Sequence, residues 1–183
     1  SKTKPIEMIK TAIELGMTSF GENKPQEIRD KTKSITDPVK WHMIGHLQSN
    51  KIKYVLNTCE LIHSVDSLKL ARQLSKQAEK KECDINILLQ VNVSEEDSKQ
   101  GFMLSDVEQT VREIATYNNL HIKGLMTIAP YVENPEENRP IFRQLGELLI
   151  DIKSKNIDNV NMSILSMGMT GDYEIAIEEG ATH

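Results

Sequence analysis

Cysteine is nearly absent from this chain. Cys59 and Cys83 are the only two, in no CxxC spacing, so neither a disulfide framework nor a thiolate zinc site is expected. A reducing cytosol is the matching compartment. No apolar run approaches the roughly 18 residues that span a bilayer, and no signal-peptide pattern is present. The two glycosylation sequons, at Asn92 and Asn161, are therefore read as coincidence. Basic residues are outnumbered, 22 against 27 acidic, for a net charge of −5. That balance gives no reason to expect nucleic-acid binding, and the stretch from Lys51 to Lys53 reads as a solvated face. No linker or low-complexity tract divides the 183 residues. No spacing argues for a Ser-His-Asp or Cys-His hydrolase. The scattered methionines read as packing, not as a metal box.

What is present is an alternation. Strand-like apolar segments recur at Thr18 to Gly21, Trp41 to Leu47, Leu61 to Val65, Ile85 to Val93, Ile122 to Ala129 and Asn161 to Met167. Helical stripes lie between them. Ile6, Ile9, Ala12 and Ile13 make the first, closed by Gly16, with Pro5 opening the helix. Leu70, Ala71, Leu74 and Ala78 make another. Val107, Val111, Ile114 and Ala115 follow a Ser105-x-x-Glu108 capping box. The longest stripe runs from Ile141 to Ile152, and a short helix covers Asp172 to Glu179. Asn23 to Lys33 and Ser49 to Leu56 are weaker helical segments.

Strand and helix in regular alternation imply parallel strands joined by crossovers. Six strands are visible. A strand ending at Ser1-Lys2 and another starting at Thr182 would make eight. The count favours one (β/α)8 TIM-type barrel domain over residues 1–183, with its first and last strands largely outside this chain and both ends looking cut. An open doubly wound sheet is the runner-up, without a Gly-x-Gly-x-x-Gly turn to support it.

In either architecture ligands bind where the strands end. The segment from Ser166 to Asp172 offers two glycines and two hydroxyls leading into a helix. It reads equally as an anion cradle, with phosphate the obvious ligand, and as a turn capped by Thr170 or Asp172. Lys2 is the second candidate. At a strand end, desolvation would free its amine for imine formation, although position alone favours a solvated surface lysine. His42 and His46 sit four apart, about 13 Å on a strand, so zinc is not expected. His42 is expected to pack or hydrogen-bond beside Trp41, and His63 to face the core or the helix layer.

Five segments together resemble one family: Ser1-Lys2-Thr3-Lys4-Pro5; Phe20-Gly21-Glu22-Asn23; the run from Trp41 to Lys51; Gly124-Leu125-Met126; and Leu165-Ser166-Met167-Gly168-Met169. Their order and spacing resemble the pyridoxal-phosphate homeostasis proteins, the alanine-racemase-like, proline-synthetase co-transcribed family. The resemblance implies a barrel of the alanine racemase N-domain type, with pyridoxal 5′-phosphate held as a Schiff base on Lys2. It implies a phosphate cradle at Ser166, Gly168 and Met169, the last two through backbone N–H groups. Thr170 stands where the family often has Ser. Asn23 falls near the cofactor ring, and His42, Gln48 and Asn92 near the same mouth. The family continues with an Arg-Ile-Gly-Thr/Ser strand that faces the pyridine nitrogen; this chain does not include it.

The functional expectation is a cytoplasmic, monomeric carrier or buffer of the cofactor, without membrane, metal or nucleic-acid partners. Pyridoxal-phosphate-dependent apoenzymes are the candidate recipients. The alternatives are an amino-acid racemase and a barrel that has become an interaction module. Racemisation in this fold needs a lysine and a tyrosine on opposite faces of the cofactor. Of Tyr54, Tyr117, Tyr131 and Tyr173, only the last two are expected near strand ends, so no catalytic residue is assigned.

Overall fold

The computed structural model describes residues 1–96 and 99–183. Its strands are β1 (Ser19–Glu22), β2 (Lys40–Met43), β3 (Cys59–Val65), β4 (Ile85–Asn92), the two-residue β5 (Phe102–Met103), β6 (Leu120–Met126) and β7 (Val160–Ser166). All pair in parallel, in the order β1-β2-β3-β4-β6-β7, with β5 beside the end of β4. Parallel neighbours need crossovers. The helices are α1 (Ile6–Glu14), α2 (Pro25–Ser34), α3 (Leu68–Lys81), α4 (Val107–Ala115), α5 (Arg139–Ser154) and α6 (Tyr173–Glu178). A 3-10 turn at Ser49–Tyr54 links β2 to β3.

The six strands visible in the sequence are found, as are the helices, with Ser49–Tyr54 as a 3-10 turn; Ser1-Lys2 and residues 182–183 are not strands. Local details differ. α1 begins at Ile6, with Pro5 as the residue before it, and Gly16 ends it at φ +94°. The Ser105-x-x-Glu108 box does not form, because residues 104–106 are already a 3-10 turn. The Ser105 hydroxyl bonds Asp106, and Glu108 pairs with Arg112 and Lys155 instead. α3 gains a cap that the periodicity did not reveal: Leu70 N–H donates to Ser67 Oγ at 3.3 Å.

The sheet is curled. β3 and β7 are separated by β4 and β6, a span of about 14 Å in a flat sheet. Yet His63 on β3 and Ser166 on β7 meet side chain to side chain at 2.8 Å. Leu61, Leu88 and Met126, with Ile164 against them, form one cluster inside the curl. The large aliphatic core, including Ile62, Leu74, Ile87, Leu89, Val111 and Phe142, lies between the sheet and the helices. A smaller cluster of Ile9, Phe20, Ile35 and Trp41 packs the β1–β2 end. These two layers, inner and outer, are those of an α/β barrel and not of an open sheet. The backbone nitrogen of Ser1 donates to Gly21 on β1, and residues 182–183 bond along β7.

Candidate functional site

The strands end at a cleft of about 750 Å³. That volume is typical of a small-molecule site. Lys2, Asn23, Ser166, Gly168, Met169 and Thr170 all line it, as do His42, His63 and His183. Three separate segments, the turn before α1, the loop after β1 and the end of β7 with its loop, therefore bring the expected residues together. Gln48 and Asn92 are not part of its lining; Asn92 is buried and donates to the Glu96 carbonyl.

Lys2 sits in a turn, closed by Lys4 N–H donating to the Ser1 carbonyl. It is exposed, not enclosed as the strand-end argument expected. The turn is anchored from below. The Ser1 hydroxyl donates to the Glu22 carboxylate at 2.6 Å. The Lys31 ammonium bonds Glu22 at 2.7 Å, Glu27 at 3.2 Å and the Ser1 carbonyl at 3.1 Å. Glu22 is wholly buried. A buried carboxylate requires such pairing. Asn23 is held by close backbone contact: a Cβ on Gly45 would come within 2.4 Å of the Asn23 carbonyl oxygen. Only glycine fits there.

The loop after β7 forms the turn that its sequence allowed. Asp172 closes it, accepting from Met169 N–H at 2.6 Å and from Asn138 Nδ2 at 2.8 Å. The Met169 N–H, expected to hold phosphate, is thereby already engaged. α6 has only six residues, so its dipole adds little. Toward the cleft the loop presents Ser166, Thr170 and the backbone around Gly168. Gly168 has φ +86°, and a Cβ there would lie 2.6 Å from that of Ala176. The loop could not turn this tightly with any other residue.

His42 is hydrogen-bonded as expected, with His63 as its partner, and His63 takes the core setting of the two expected for it. His63 faces the inside of the curl, not the helices. Its Nδ1 lies 2.8 Å from Ser166 Oγ, and its Nε2 lies 2.9 Å from His42 Nδ1. The His183 ring stands 5.6 Å from that of His42 and 5.8 Å from that of His63. Burial, then the neighbouring imidazoles, push His63 down to about 3, and burial lowers His42 and His183 as well. The group is neutral near pH 7. The period-two alternation of the strands marks this group in the sequence. Leu61, Leu88 and Ile164 face inward, and two residues on, each strand carries a polar side chain: His63, Gln90 and Ser166. Cys59 is no candidate nucleophile, since burial pushes its thiol up to about 12. Among the described residues no three His, Cys, Asp or Glu side chains could hold a metal ion, and no helix is long and apolar enough to cross a membrane.

A curled parallel sheet with a lysine, hydroxyls and a tight glycine loop at its strand ends defines a class. The chain belongs to the alanine racemase N-terminal domain family, whose model matches residues 3–182. It is 42% identical over 183 residues to the pyridoxal phosphate homeostasis protein of Aquifex aeolicus, covering 100% of this chain and 79% of that protein. Within the larger family it therefore stands with the pyridoxal phosphate homeostasis proteins. PipY of Synechococcus elongatus without PLP superposes with a TM-score of 0.93 at 33% identity, covering 100% of this chain and 85% of that one. PipY with PLP bound gives 0.89 at 32% identity, over the same shares.

Proposed function

We propose that residues 1–183 act as one barrel domain that binds pyridoxal 5′-phosphate and takes part in its homeostasis, as carrier or buffer, without robust turnover. The observation that carries this reading is the convergence of Lys2, Asn23, Ser166, Gly168 and Thr170 on one cleft. The donor set fits the cofactor. An accessible amine faces the space that an aldehyde would enter, and hydroxyls with a glycine turn suit a phosphate dianion. When bound, the cofactor supplies an electron sink. The chain itself supplies Lys2 for covalent attachment, Asn23 beside the ring, and Ser166, Gly168 and Thr170 for the phosphate. Met169 contributes by shaping the loop, its N–H being held by Asp172.

The carrier reading over the racemase rests on the second face of the cleft. Tyr131 is 94% exposed, the Tyr173 hydroxyl donates to Glu174, and neither lines the cleft. A lysine without an opposed base binds and releases but does not racemise. A cleft open to solvent suits exchange with cytoplasmic apoenzymes.

The test is borohydride reduction in the presence of pyridoxal phosphate, followed by peptide mapping. A single adduct at Lys2 is expected, lost in Lys2→Ala. Because Lys2 is exposed, that variant should change stability by less than about 0.5 kcal/mol. Labelling scattered over several lysines would refute the site. Amino-acid racemisation that disappears in Lys2→Ala would refute the carrier reading.

A further inference from the structure

Inside the curl, two imidazoles and a hydroxyl form a hydrogen-bonded row that the cofactor contacts alone do not require. It runs from His42 on β2 through His63 on β3 to Ser166 on β7. Both histidines are more than nine-tenths buried. The row can be polarised in two directions. In one, His42 Nδ1–H donates to His63 Nε2, His63 Nδ1–H donates to Ser166 Oγ, and the serine proton stays free for the cleft. In the other, each bond is reversed, and the serine proton is spent on His63.

The far end of the row decides between them. His42 Nε2 is buried and has no hydrogen-bond partner among the described residues. In the first direction that nitrogen carries only a lone pair. In the second it carries an N–H. Orphaned buried N–H groups are rare, and under-satisfied acceptors are better tolerated. The mouth end points the same way. A serine that has given its proton away turns lone pairs toward the cleft, where an anion would be repelled. A serine that accepts from His63 can donate to it. Burial keeps His63 neutral, so it has a single ring proton, and the bond from His42 fixes that proton on Nδ1.

We propose that His63, set by His42, is a positioning residue that aims the Ser166 hydroxyl proton at the phosphate of the bound ligand and so sets the preference for phosphorylated over unphosphorylated pyridoxal. The proposal rests on the phosphate reading of the Ser166 loop. Hydrogen bonds to a charged acceptor are the strong ones, so aiming one hydroxyl correctly is worth about tenfold in affinity.

Affinities for pyridoxal phosphate and for pyridoxal, measured on the full chain, give a preference ratio in which general damage to the cleft cancels. His63→Leu should lower the ratio about tenfold. His63→Asn, whose amide nitrogen can replace Nδ1 as donor, should restore most of it. In a Ser166→Ala background His63→Leu should change the ratio no further. An unchanged ratio in His63→Leu, with Ser166→Ala losing it, overturns the row while the phosphate site stands. An unchanged ratio in Ser166→Ala overturns the proposal at its base, by removing the phosphate reading. Nitrogen-15 imidazole shifts of the unmutated protein serve if His63→Leu does not fold. Protons on Nδ1 of both His42 and His63 support the direction, and protons on Nε2 overturn it.

Discussion

At the scale of single residues, the site is positioned by a charge that sits beneath it. Glu22 is wholly buried and Lys31 nearly so, with 2.7 Å between them. The same ammonium also holds the Ser1 carbonyl, one residue from Lys2. Breaking one partner of a buried pair strands the other charge, at about 3 kcal/mol or more. Lys31→Met should lose stability by that amount in urea unfolding, and should loosen the turn that carries Lys2. A loss under about 1 kcal/mol would mean that the Ser1 hydroxyl and solvent satisfy Glu22 by themselves. Neither residue stood out in the sequence, because nothing in Phe20-Gly21-Glu22-Asn23 or in the polar α2 announces that a carboxylate will be buried. Lys2, Asn23 and Ser166 could be picked out by their place after strands, but only the resemblance gave them cofactor roles. The spacing alone left Lys2 as a surface lysine and the loop as an undecided turn. His63 was missed because an isolated histidine in an apolar strand looks like core, and only the inward parity of Leu61 betrays it.

At the scale of elements, the strands were readable because parallel strands covered on both faces are nearly continuous in apolar residues, as Ile85 to Val91 is. Their ends were less so. β2 stops at Met43, although apolar character continues to Leu47, because Ile44 to Leu47 turn away toward the cleft and the core. The failed Ser105 cap shows the same limit: a local pattern lost to a 3-10 turn that follows the short β5. The β6–β7 pairing also hides a close approach. A Cβ on Gly124 would lie 1.9 Å from the Ile164 carbonyl oxygen. Gly124→Ala must push β7 outward, and with it Ser166. We expect at least about 3 kcal/mol of destabilisation. Gly171→Ala meets nothing within 4 Å and should stay within about 0.5 kcal/mol. Thermal unfolding of the pair checks both, and equal losses would show that the strand spacing at Gly124 adapts freely.

At the scale of the whole molecule, the buried imidazoles make acid tolerance a property of the barrel interior. His63, His42 and His183 all lie below the ordinary 6.5 in the folded chain, His63 at about 3, chiefly through burial. Glu60 and Lys40 are the charged groups that also face His42, and they act in opposite directions. Between pH 6.5 and 3 the unfolded chain takes up protons that the folded interior refuses. The stability these imidazoles contribute is therefore complete above 6.5 and is lost as pH falls toward 3. Each refused proton adds a slope approaching ~1.4 kcal/mol per pH unit. Carboxylates such as Glu179, held at about 2 by Arg143 and Arg139, also lose their contribution in acid, but only below the ordinary 4.5. The interval from about pH 6.5 to about pH 5 thus belongs to the imidazoles. Urea unfolding across it should show stability falling with pH, and His63→Asn, which removes one refused proton, should make the fall shallower. An unchanged slope would mean that His63 takes up its proton in the folded state too, and that the barrel interior is wetter than its burial implies.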